Sequence, residues 1–230
     1  MFHVKHESRP HAAATASRGL VPQSQISRRA VVSLIASVGP VSCIAPASAT
    51  PDITPGPTTL AGRLLIATPV MGDPRFANTV ILMVRHSKAG AMGITINRPT
   101  GQRPLVDLLR AIGQDPACAD GEIRIFAGGP VQPEIGFILH DAGYRRADTT
   151  DIDGRVAMTT NPEVLRDLGR HAGPHKYLVA LGYAGWGAHQ LEDELALRAW
   201  VVAPEDPALV FDVDRDTVWQ AAMAHADHRP

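Results

Sequence analysis

Cysteine is scarce in this chain: Cys43 and Cys118 are the only two in 230 residues. Cys43 falls in an N-terminal leader, so a chain that has lost its leader keeps one thiol and can form no internal disulfide. Aromatic residues are 5% of the total, which leaves the core to Leu, Val, Ile and Ala. Lysine is confined to Lys5, Lys88 and Lys176. No Lys/Arg stripe, helix-turn-helix or stacking-aromatic motif is legible, so direct nucleic-acid binding is not expected. The stretch of about 20 strongly apolar residues that a membrane span needs is also lacking. So are the G-x-S-x-G elbow, the H-E-x-x-H metal motif and the P-loop.

What is present begins with a charge asymmetry. Residues 1–49 hold five basic side chains against one acidic, while the remainder holds 17 basic against 22 acidic, a net of −5. A basic leader on a mildly acidic body suits export better than DNA binding. Residues 1–26 are polar and show no period. "SRRAVVSLIASVGPVSCIAPASA" (27–49) then has the three parts of a secretory signal. Arg28 and Arg29 form a twin-arginine start, an uncharged run follows, and Ala47 and Ala49 stand where a signal peptidase reads small residues. The expected organisation is a signal region over 1–49, a Pro/Thr linker over 50–59 and one domain over 60–226. The expected location is periplasmic or exported. If the start codon is mis-assigned, the protein is cytoplasmic instead.

In the body, apolar alternation and turn residues predict strands over 60–69, 80–87, 91–99, 122–131, 136–140, 154–160, 176–185 and 200–204. Helical spacing predicts helices over 103–113, 160–173, 189–200 and 215–226. Asn161 is the expected cap of the second helix, with Pro162 at its first position. Strands outnumber helices and several are sequential hairpins. The class is α+β, with a mixed or largely antiparallel sheet.

Three stretches, "LLIATPVMGDPRFANTVILMVRHSKAGAMGITINRP", "FAGGPVQPEIGFILH" and "VALGYAGWGAHQLEDELALRAWVVAP", resemble the YqgE/AlgH family of bacterial proteins. The resemblance spans about residues 60–222. It implies a single compact domain with a coiled, bifurcated sheet and flanking helices. It implies no established activity, although many members carry a transcriptional-regulator label. Two departures stand out. Most members are leaderless, and His189 stands where a small residue is usual.

Within those stretches Asp73, His86, Asn97, Arg98 and His140 are the candidate contacts for a ligand or partner. Arg98 is the best of them for an anion, since its fork suits a carboxylate or phosphate. The alternative is a structural ion pair between Arg98 and Glu192 or Asp73. Ser87 directly follows His86, and neighbours in a strand point to opposite faces, which argues against a hydrolytic triad. No catalytic residue, metal site or cofactor is expected. Gly128-Gly129-Pro130 reads as a turn whose glycines supply positive φ. Gly185, Trp186 and Gly187 read as a structural corner, with Trp186 folding onto Leu191 and Leu195. Glu192, Asp193 and Glu194 then complement the positive end of the following helix. The leading reading is a non-enzymatic binding or regulatory protein whose partner is a protein or a small anion. The alternatives are an enzyme with a site near His86, Asn97 and Arg98, and a cytoplasmic transcriptional regulator.

Overall fold

The computed structural model describes residues 59–226 apart from Cys118. The leader, most of the linker and Cys118 lie outside the described residues. Ten strands and four α-helices follow in the order β1 (Arg63–Ala67), β2 (Val80–Ser87), β3 (Gly90–Thr95), β4 (Pro99–Pro104), α1 (Leu105–Ala111), β5 (Glu122–Ala127), β6 (Val131–Asp141), β7 (Thr150–Asp151), β8 (Val156–Thr159), α2 (Glu163–Gly169), β9 (Tyr177–Trp186), α3 (Gln190–Ala196), β10 (Trp200–Pro204) and α4 (Val218–Ala224). A π-helical turn, Ala208–Asp212, connects β10 to α4. No helix among the described residues is long and apolar enough to cross a membrane.

The fold is α+β, built on one curled sheet in the order β10-β1-β2-β3-β9-β6-β8-β7, with β4 and β5 as a side branch. Every pairing is antiparallel except β5 with β9. The branch point is β9. One edge pairs with β6. Its other edge takes β5 over Val179–Leu181 and then β3 over Ala184–Trp186. Gly182 sits at the fork with φ +72, a left-handed conformation that breaks the extended run. Alternation therefore changes phase there. Leu178 and Ala180 face one core cluster before Gly182, and Tyr183 packs on that same cluster after it. Val179 enters a second cluster and Ala184 and Trp186 a third.

Those clusters explain the strands without polar faces. β1 buries Leu64 and Ile66 in the first cluster but Leu65 and Ala67 in the third. The first is covered by the π-helical turn and α4, through Leu209, Val210, Val218 and Ala222. The second is covered by α1 and α2, through Leu105, Leu109, Val164 and Leu165. The third is covered by α3, through Leu191.

The Gly128-Gly129 stretch is a close crossing. A Cβ on Gly129 would fall 2.1 Å from the Tyr183 carbonyl carbon, and its φ is +156. Only glycine lets the β5–β6 turn lie this near β9. The ends of the curled sheet also meet: Gly62, just before β1, abuts Asp153 of the β7–β8 turn. Arg155 donates to the Glu205 carbonyl at 2.9 Å and pairs with its carboxyl oxygen at 2.5 Å.

The structure departs from the sequence reading in several places, among them β7, a two-residue strand where none was predicted. Residues 99–104 form β4, where the first predicted helix was expected to begin at 103. Pro104 supplies the turn from strand to helix, and α1 starts at Leu105. The strand predicted over 136–140 begins at Val131. The segment between β10 and α4 carries a π-helical turn that no period announced. α2 starts one residue later than expected, with Pro162 rather than Asn161 at the cap position, and the Asn161 side-chain oxygen accepts the Glu163 N–H at 2.9 Å from just before it.

Candidate functional site

The residues singled out in the sequence do not meet in one place. Asp73 holds its near neighbour Arg75, accepting at 2.6 Å from the guanidinium, and that bond keeps the Asp73 carboxyl below its usual range. Asn97 accepts the Val80 N–H at 2.9 Å and donates to the Asn78 carbonyl at 2.8 Å. Arg98 donates to the Ala77 carbonyl at 2.7 Å, so it pairs with neither Glu192 nor Asp73. Asn97 and Arg98 thus fasten the loop before β2. His86 lies at the opposite end of β2, six residues from Val80, or about 20 Å at strand rise. Its Nδ1 accepts the Leu60 N–H at 3.1 Å and its Nε2 meets Glu192 at 2.9 Å. Those partners place the ring proton on Nε2. His140 is fully buried in β6. Its Nδ1 meets the Asp141 carbonyl at 2.9 Å, and its Nε2 has no partner among the described residues.

The Gly185-Trp186-Gly187 corner is closed by side chains of α3. Trp186 is 7% exposed and lies edge-on to Trp200, with ring centroids 5.9 Å apart. One oxygen of Glu194 accepts from both indoles, at 2.9 Å from Trp186 and 2.7 Å from Trp200. Gln190 donates to the other oxygen at 2.9 Å and accepts the Gly187 N–H at 3.1 Å. Glu194 lies beyond the first turn of α3 and serves the two indoles, which corrects the expectation that it complements the helix end; Glu192, in the first turn, accepts its own backbone N–H and also meets His86.

A free cation lies elsewhere. β5 buries Ile123 and Ile125 on one face and turns Arg124 out on the other. The Arg124 side chain makes no hydrogen bond or ion pair with any described residue. It lines a groove between the β4–β5 branch and the 211–216 segment. The groove consists of two adjoining hollows of about 630 and 290 Å³, which share Gln102, Arg124, Phe211 and Arg215. Arg215 is 7% exposed. It donates to the carbonyls of Ile96 at 3.3 Å and Val210 at 2.8 Å, and to that of Val213. Burial lowers its pKa, and so does the positive charge of Arg124, while Asp212 and Asp214 oppose the shift. Two guanidiniums therefore feel one another across a cavity, and neither is neutralised by a direct carboxylate bond. Phe126 and Tyr177 line the inner hollow, and Asp214 and Asp216 line the outer one.

Sequence reasoning passed over both arginines. Arg124 had a signal: a lone cation alternating with isoleucines in "EIRIFA" marks the open face of a strand. Arg215 had none, because its place depends on how the 205–217 segment folds back to the Ile96 carbonyl.

Comparison with known proteins agrees with this architecture. The AlgH-like family model matches residues 64–230. The UPF0301 protein AlgH of Pseudomonas aeruginosa is 44% identical over 170 residues, covering 73% of this chain and 89% of that relative. A UPF0301 protein of Methylococcus capsulatus is 44% identical over 164 residues, covering 71% and 87%. The solution structure of Pseudomonas aeruginosa AlgH superposes with a TM-score of 0.62 at 42% identity, covering 74% of this chain and 90% of that one. The crystal structure of a Corynebacterium diphtheriae protein shares the fold, with a TM-score of 0.55 at 24% identity and coverage of 74% and 86%. The chain belongs to the AlgH-like family.

Proposed function

We propose that this protein is an exported binding protein, and that the groove between the β4–β5 branch and the 211–216 segment receives the anionic end of its ligand. The observation that carries the reading is the unpaired guanidinium of Arg124 beside the buried guanidinium of Arg215. An arginine fork with free donors suits a carboxylate in two-point contact. The flanking rings of Phe126, Tyr177 and Phe211 suit an apolar body next to that charge. Binding without turnover is favoured because His86, Asn97 and Arg98 are all engaged in holding loops. Export is supported by Arg28, Arg29, Ala47 and Ala49 in the leader.

The test is an NMR titration of the full chain with 3-phenylpropionate, a carboxylate on an aromatic body. Saturable shifts are expected at groove residues, and Arg124→Gln is expected to abolish them. Shifts elsewhere, no shifts, or shifts indifferent to Arg124→Gln would overturn the reading.

A further inference from the structure

The groove carries charge of both signs, and that selects among anions. Arg215 already spends donors on three backbone carbonyls, so Arg124 alone offers a free fork. One fork matches one carboxylate. A dianionic phosphate would need more donors and would face the carboxylates of Asp212, Asp214 and Asp216 in the same cavity. Asp212 has a cation of its own, since Lys176 pairs with it at 2.5 Å. Neither Asp214 nor Asp216 makes a salt bridge among the described residues, although Asp214 feels the charge of Arg215; the Asp214 carboxylate accepts the Asp216 N–H at 3.0 Å. The outer hollow thus offers two carboxylates for a positive group.

Two further features point to a polypeptide. Gln102 lines both hollows, and its side-chain amide has no partner among the described residues, so one donor and one acceptor are available to a main chain. β4 pairs with β5 alone among the described residues, which leaves its other edge without a strand, and its Pro99, Gly101 and Gln102 line the groove. A free strand edge is where an extended peptide adds.

We infer that the ligand of this groove is the C-terminal end of a polypeptide that carries a basic side chain. Its terminal carboxylate sits on Arg124, its last apolar side chain lies against Phe126 and Tyr177, and its ammonium or guanidinium lies between Asp214 and Asp216. The inference rests on the anion-binding reading above and narrows it from any organic anion to a zwitterionic peptide end.

Calorimetry on the full chain tests it with three peptides: acetyl-Lys-Gly-Leu with a free carboxylate, its C-terminal amide, and acetyl-Gln-Gly-Leu with a free carboxylate. The free acid with Lys is expected to bind saturably, and amidation or Arg124→Gln to weaken it at least tenfold. The Lys-to-Gln change in the peptide is expected to weaken binding several-fold to the parent protein. It should have no effect on the Asp214→Asn, Asp216→Asn double variant, in which the Asn side chain still accepts the Asp216 backbone N–H and the loop is kept. Equal binding of the Lys and Gln peptides overturns the inference while leaving the anion reading intact. So does inorganic phosphate displacing the peptide at equal concentration. Tight binding indifferent to both amidation and Arg124→Gln overturns both readings.

Discussion

The indole N–H of Trp186 donates to Glu194 at 2.9 Å, across the turn that joins β9 to α3. The same oxygen takes the indole N–H of Trp200, so a single carboxylate fixes a helix, the long central strand and an edge strand. Trp186→Ala removes a buried aromatic and one of these bonds. Its expected cost is about 3–5 kcal/mol, read by urea unfolding. Glu194→Ala leaves two indole donors without that partner and should cost about 1–3 kcal/mol. ATP, GTP and NAD should leave the melting temperature unchanged. A Trp186→Ala variant as stable as the parent, together with saturable nucleotide binding, would reverse the assignment of this corner as structural.

Glu205 makes stability depend on pH. Its side chain is fully buried beside Asp153, and burial first, then the Asp153 carboxyl, push its pKa up to about 8. Burial works against ionised Asp153, but hydrogen bonds from the Glu205 carboxyl and the Val156 and Arg155 amides hold its pKa below the usual range. Glu205 is raised in the folded state, so protonation there favours folding. Its contribution is full below its ordinary pKa of 4.5 and is lost as pH climbs towards about 8. Asp153 acts in the opposite sense and only in acid. Between those limits the parent should lose stability at up to about 1.4 kcal/mol per pH unit relative to Glu205→Gln. Urea midpoints of both proteins from pH 5 to 9 measure this, and parallel profiles would disprove it.

Gly129 has no room for a side chain, since a Cβ there would lie 2.1 Å from the Tyr183 carbonyl carbon and 2.3 Å from the Ala184 nitrogen. Both are backbone atoms of the central strand and cannot rotate away. Gly129→Ala is expected to be among the most costly single changes, above about 4 kcal/mol, with reduced soluble yield as the first sign. Gly72→Ala, where a Cβ meets nothing within 4 Å, is the matched control and should be nearly neutral.

Residues 50–230 carry 17 basic and 22 acidic side chains and should repel a polyanion. A gel-shift at physiological salt is expected to show no sequence-specific complex. Submicromolar binding that survives competitor DNA would favour a DNA-binding regulator instead.

Export is checked at the mature N-terminus. Mass spectrometry of the native protein should find a chain starting at Thr50. Arg28→Lys with Arg29→Lys should retain the precursor in the cytoplasm. An intact residue 1–49 segment, or a chain starting near Thr59, would refute the signal assignment.

The sequence by itself determined the family, the class and most of the elements. Leu64, Ile66, Val80, Leu82 and Ile94 are apolar at strand spacing, and that local pattern needs no tertiary knowledge to read. The corner was legible too, because Gly185-Trp186-Gly187 before Leu191 and Leu195 combines turn residues with a helical apolar stripe. Tertiary structure alone decided the rest. β4, "PTGQRP", has no apolar alternation and is a strand only because β5 offers it an edge. Glu192 and Glu194 sit two residues apart on one short helix yet serve His86 and the two indoles respectively, a division set by what each helix face meets. His86 and Asn97, eleven positions apart and suggestive of one site, are separated by the length of β2. Arg124 and Arg215 are 91 positions apart and share a groove because the 205–217 segment folds back over the sheet. Periodicity reports which face a side chain takes. It does not report what lies across from that face, and a binding site is made of such opposed faces.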